Sequence, residues 1–96
     1  MTIEEFHQTL KAETPPEGIS QLLLALWYDA KGDWAKSHDT ASEINTKEGS
    51  LLHAYLHRKE GDLWNADYWY RRSGLSRPTC SLEDEWKTLV EKFIVL

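Results

Sequence analysis

A chain of 96 residues suits one small domain, and its five Trp, four Tyr and two Phe supply apolar area that so short a core would otherwise lack. A net charge of −5 excludes a general nucleic-acid binder, which needs an excess of Lys and Arg to displace counterions from phosphates. The lone Cys80 excludes an internal disulfide and any paired-cysteine metal or redox motif, so a reducing cytoplasm is the expected compartment.

The N-terminal residues include Glu4, Glu5, His7, Lys11 and Glu13 and hold no basic stretch followed by an apolar one, so no export signal is read there. Thr2-Ile3-Glu4-Glu5 has the form of a capping box, and Ile3, Phe6, His7 and Leu10 follow at helical spacing until Thr14-Pro15-Pro16. A first helix over about 3–13 is predicted. After Gly18, residues Ile19, Leu22, Leu23, Leu26, Trp27 and Ala30 form the clearest amphipathic pattern in the chain, a second and deeply buried helix. Its most apolar run, Leu22 to Tyr28, is too short to span a bilayer, so no membrane partner is expected. Gly32-Asp33 ends that helix and begins a third, carrying Trp34, His38, Ala41 and Ile44 or Asn45 to about Thr46.

Gly49 weakens any helix through it, which places the start of a fourth between Glu48 and Leu51, running to Glu60. Gly61-Asp62 repeats the joint, and a fifth helix extends to Ser73 with Gly74 as its cap and Pro78 beyond. Ser81-Leu82-Glu83-Asp84 is another cap signature, followed by Leu82, Trp86, Leu89, Val90 and Phe93 at helical spacing. No stretch alternates with period two. The expected fold is all-α: one domain over 1–96 with about six helices, hairpins at 19–46 and 48–74, and a C-terminal helix at 81–96.

The two Gly-Asp joints lie 29 residues apart, a spacing that marks a duplicated helical pair. Gly61, Ala66, Tyr70, Ser73 and Pro78 in one copy, and Leu24, Ala25, Tyr28 and Gly32 in the other, resemble the turn and packing residues of tetratricopeptide repeats from about Ile19 to Pro78. The block from His53 to Asp62 (HAYLHRKEGD) followed by Asn65 to Gly74 (NADYWYRRSG) also resembles small uncharacterised helical proteins. The first resemblance implies stacked helical hairpins with Tyr55 and Arg58 on a concave, peptide-binding surface. On it Asp29 is expected to pair with Arg58.

His53, His57 and Glu60 stand at i, i+4 and i+7, on one stripe of one helix. Two imidazoles and a carboxylate suit zinc or non-haem iron, with His38 or Asp62 as a further ligand; the alternative is packing and hydrogen bonding without a metal. On the fifth helix Trp64, Tyr68, Arg71 and Arg72 lie opposite Leu63, Ala66, Tyr70 and Ser73. Two aromatics beside two guanidinium groups have the composition of an interface hot spot. Residues 53–77 carry five Lys or Arg against three Asp or Glu in an otherwise acidic chain, which favours an acidic protein or peptide, or a small anion. The alternative is that the C-terminal helix covers this face, its Glu83, Asp84 and Glu85 pairing with the arginines.

Cys80 stands before the last helix without an evident base, and no phosphate loop, nucleophile elbow, dinucleotide fingerprint or calcium loop occurs, so neither catalysis nor a cofactor is expected. Phe93-Ile94-Val95-Leu96 is an apolar end that a homodimer would seal. The function expected from the sequence is a small helical binding or adaptor module contacting a partner through Tyr55, Arg58, Trp64, Tyr68, Arg71 and Arg72. The alternative is a metal- or anion-binding protein using His53, His57 and Glu60.

Overall fold

A computed structural model describes residues 1–96 and consists of six α-helices with no strand: α1 (Ile3–Thr9), α2 (Gln21–Ala30), α3 (Trp34–Ser42), α4 (Lys47–Lys59), α5 (Leu63–Ser73) and α6 (Leu82–Ile94). Each begins on a side chain that accepts a backbone N–H two or three residues into the first turn. Thr2, Ser20, Asp33, Thr46, Asp62 and Ser81 fill these places, and Thr2 with Glu5 closes a full capping box.

Three boundaries differ from the sequence expectation. The first helix stops at Thr9 because residues 10–12 tighten into i→i+3 turns, whose Leu10 and Ala12 carbonyls accept from the Lys31 ammonium at 2.8 and 2.9 Å. The third stops at Ser42 because Thr46 takes an extended conformation to cap α4. The fourth starts at Lys47, ahead of Gly49, and Gly49 has a steric purpose there. A Cβ at that position would overlap the Ile44 carbonyl and lie 2.7–2.8 Å from the Ile44 side chain.

The two Gly-Asp joints are the same turn made twice. Gly32 and Gly61 sit at φ +84° and +89°, a region that side-chain-bearing residues rarely adopt. In the first, Gly32 and Asp33 donate to Asp29 and Tyr28; in the second, Gly61 and Asp62 donate to Arg58 and His57. Each folds its helix pair back on itself, α2 on α3 and α4 on α5, and α3 packs against α4 to join the pairs. The last helix packs on α2, α4 and α1, and α1 also meets α2 where the Trp27 indole N–H donates to the Thr9 carbonyl. One continuous core results, with Phe6, Leu26, Ala41, Leu52, Leu56, Ala66, Tyr70, Val90 and Phe93 drawn from all six helices.

Two carboxylates are buried in this core, Asp29 at 2% and Glu85 at 4% exposure. Each is met by a tyrosine and a cation, as a buried charge requires. Asp29 accepts from the Tyr55 hydroxyl and the Lys59 ammonium, both at 2.8 Å. Glu85 accepts from the Tyr70 hydroxyl at 2.6 Å and from Arg58 at 2.7 Å, and the other arm of Arg58 donates to the Cys80 carbonyl. Burial first, then hydrogen bonding and charge at the partner carboxylate, push both tyrosine hydroxyls far above their ordinary range.

Two substitutions test this account. Gly49→Ala, which helix propensity alone would make stabilising by about 1 kcal/mol, should instead destabilise by about 1–3 kcal/mol in a urea titration, because the added methyl meets Ile44. Glu85→Ala leaves Arg58 and the Tyr70 hydroxyl without their partner and should cost about 3–5 kcal/mol in the same measurement.

Candidate functional site

Two features gather polar and aromatic side chains on the flank formed by α3, α4 and α5. The first is a histidine cluster. His38 on α3 faces His53 and His57 on α4, and one ring nitrogen from each of the three lies within 4.8 Å of the others. The Nε2 atoms of His38 and His53 are 2.9 Å apart, so one imidazole donates to the other. His57 donates from Nδ1 to a Glu60 carboxylate oxygen at 2.8 Å, which leaves its Nε2 lone pair free.

Aromatic rings clamp this cluster from both sides. Trp69 of α5 stacks on His53 at 4.1 Å between centroids and 8° between planes, and Trp34 stacks on His38 at 4.7 Å and 16°. Trp34 is itself anchored by its indole N–H on the Leu56 carbonyl at 3.0 Å. Burial, followed by the neighbouring imidazoles, lowers the basicity of His53 to a pKa of about 4; burial, then His57, also lowers His38. Both shifts favour the unprotonated ring, the form that binds metals.

Of the His53, His57 and Glu60 stripe read from the sequence, the structure brings His53 and His57 together with His38. Glu60 lies outside the three-nitrogen group and holds His57 from behind, while His38 takes the third place. Asp62 belongs to a separate group with His57 and Glu60 and also caps α5. The sequence contained a signal for His38, since Trp34 and His38 stand one helical turn apart on one face of α3. Its meeting with α4 was set by packing.

The second feature is the outer face of α5. Trp64 is 78% exposed, Leu63 44% and Tyr68 39%, with Arg71 and Arg72 exposed one turn further on. Arg72 donates to the Tyr68 hydroxyl at 3.1 Å, and its guanidinium lies over the Tyr68 and Trp69 rings at 5.8 and 5.1 Å. The alternative in which α6 covers this stripe is corrected: α6 lies on α1, α2 and α4, and its Glu85 takes Arg58 in place of Arg71 or Arg72.

Two further expectations are corrected. Tyr55 is 2% exposed and cannot contact a partner, because α4 is the central helix and α2 and α6 cover the side on which a concave surface would lie. Arg58 pairs with Glu85, and Asp29 pairs with Lys59 in its place, since α6 brings a carboxylate within reach of Arg58. Asp29 and Glu85 were named from the sequence as pairing groups, and what sequence reasoning missed is that both are buried; only the position of Asp29 on the apolar face of α2, three residues after Leu26, hinted at burial. At the C-terminus, Phe93 is buried and Ile94 packs against the core, while Val95 and Leu96 remain exposed.

His53 sets a pH dependence. A base whose folded pKa lies below its unfolded value stabilises the fold fully above the unfolded value, near 6.5, and loses that contribution as pH falls through it towards 4. Chelator-treated protein should lose about 2 kcal/mol of unfolding free energy between pH 7 and pH 5 from this group, and His53→Gln should flatten the slope. No known protein family, curated protein or solved structure matches the chain, so the two features are interpreted on their own geometry.

Proposed function

We propose that this protein is a small helical binding module that docks an acidic segment of a partner protein on the outer face of α5, through Trp64, Tyr68, Arg71 and Arg72. The observation that carries the reading is Trp64, a large apolar ring 78% exposed on a helix that has ample core within reach. The charges favour an acidic partner. Arg58, Lys59 and Arg77 are each paired with a carboxylate, while Arg71 and Arg72 have none. An exposed aromatic beside unpaired guanidinium groups, to be desolvated together when a partner covers them, is the composition that concentrates binding energy.

The mechanism is rigid display. Behind the stripe, Ala66 and Tyr70 are buried and Tyr70 is bonded to Glu85, so α5 is held in place before a partner arrives and less entropy is lost on docking. In this reading the paired hairpins are of the tetratricopeptide type, with recognition moved from the inner face, which α6 occupies, to the outer one. The chain works in a reducing cytoplasm, where its exposed Cys80 stays a thiol. No helix is long and apolar enough to cross a membrane.

The test is selection from a displayed peptide library. Acidic peptides carrying an apolar residue should be enriched, bind more weakly as salt rises, and lose about 30-fold or more in affinity against Trp64→Ala, with stability changed by less than about 0.5 kcal/mol. Peptides that bind the Trp64→Ala, Tyr68→Ala, Arg71→Ala, Arg72→Ala chain as well as the wild type would overturn the proposal. Sedimentation of the same pair at several concentrations reads the competing outcome, a second copy on this face.

A further inference from the structure

We propose that His38, His53 and His57 form a mononuclear site for a zinc-type divalent transition metal ion, with the remaining coordination position open to water or a small exogenous anion. The donor set is the first argument. Three imidazole nitrogens from two helices converge within 4.8 Å, and imidazole suits zinc, copper and nickel over magnesium or calcium. No carboxylate joins that group of three, which leaves the fourth position of a tetrahedral ion without a protein donor.

The fit is close. Two nitrogens bound to zinc at about 2.0–2.1 Å in tetrahedral geometry stand roughly 3.3 Å apart. The His38 and His53 Nε2 atoms stand at 2.9 Å, so binding asks the two rings to part by about 0.4 Å. In the metal-free pair, one Nε2 carries the shared proton. On metal binding that imidazole keeps its proton at Nδ1 in place of Nε2, so both Nε2 lone pairs face the ion and no net proton is lost by the pair. His57 is already in the required tautomer, because Glu60 holds its Nδ1–H.

The surroundings argue the same way. A histidine whose second nitrogen is held by a carboxylate is the usual arrangement behind a metal-bound imidazole. Trp34 and Trp69, stacked on His38 and His53, restrict the two rings that would have to find the ion, so little side-chain freedom is left to lose. Since α3 and α4 belong to different hairpins, the ion would also clasp the two hairpins together.

The experiment uses the full, tag-free chain stripped with chelator and titrated with Zn(II) by calorimetry, and with Co(II) by visible absorption. Expected are one ion per chain, the strong visible bands of a four-coordinate Co(II) complex, and a melting temperature raised by roughly 10 °C at a hundredfold excess over the dissociation constant. His38→Ala and His57→Ala should each weaken binding at least tenfold, and Glu60→Ala by about 10–100-fold. His7→Ala, which removes the histidine lying against Trp86 on the other side of the fold, should change nothing. A wild-type chain that takes up neither ion at one per chain would overturn the proposal. So would a His38→Ala chain, or the surface variant Glu60→Ala should the histidine variants unfold, that binds as tightly as the wild type.

Discussion

The whole arrangement depends on one backbone constraint, the left-handed glycine at each of two helix joints. With Gly32 and Gly61 near φ +85°, each chain reversal is completed in three residues, the last of them the aspartate that caps the next helix. A joint this short leaves little freedom in how the second helix meets the first. The 29-residue interval then places Asp29 and Arg58, and Tyr28 and His57, at equivalent steps of the two turns. Because α3 follows the first joint and α4 precedes the second, Trp34 and His38 meet His53, His57 and the Leu56 carbonyl along one seam.

The fourth helix is the one that the most neighbours touch. It packs on α2, α3, α5 and α6, and every residue from Leu51 to Leu56 is buried. From His53 to Lys59 each of its polar side chains is therefore held by a partner. Tyr55 and Lys59 close on Asp29 towards α2, Arg58 closes on Glu85 towards α6, and His53 and His57 turn to α3. No buried side-chain polar atom is left without a partner. Such ion pairs add less net stability than their number suggests, since desolvation offsets most of the attraction, but breaking any one of them is costly. They fix which face of each helix meets which neighbour.

That division of labour leaves α5 with two unlike sides. Its inner side, Ala66, Tyr70 and Ser73, is sealed against α4 and the Glu85 network. Its outer side holds Trp64, Tyr68, Arg71 and Arg72 with no helix over them, and Trp69 at the edge reaches the histidine cluster. The proposed partner face and the proposed metal site therefore share a neighbour in Trp69, with Arg72 above the same ring. One is a surface for a macromolecule and the other a site for an ion, and neither requires the other.

By itself the sequence determined the six helices, the caps at Thr2, Asp33, Asp62 and Ser81 and the two hairpins, though not the caps at Ser20 and Thr46, because these signals act within a few residues: an aspartate over the N–H groups of its own first turn, a glycine at its own bend, apolar residues three or four apart. It also placed Trp64 and Tyr68 opposite the buried side of α5. Only the tertiary structure decided that Tyr55 is core, that Arg58 belongs to Glu85, that His38 completes the histidine group and that Gly49 makes room for Ile44. Those outcomes depend on partners from separate elements, His38 being 15 residues from His53 and Lys59 30 residues from Asp29. No local pattern encodes which of several carboxylates or rings will arrive when helices pack, because that choice is made by the volume each helix fills and by the requirement that every buried charge finds a partner.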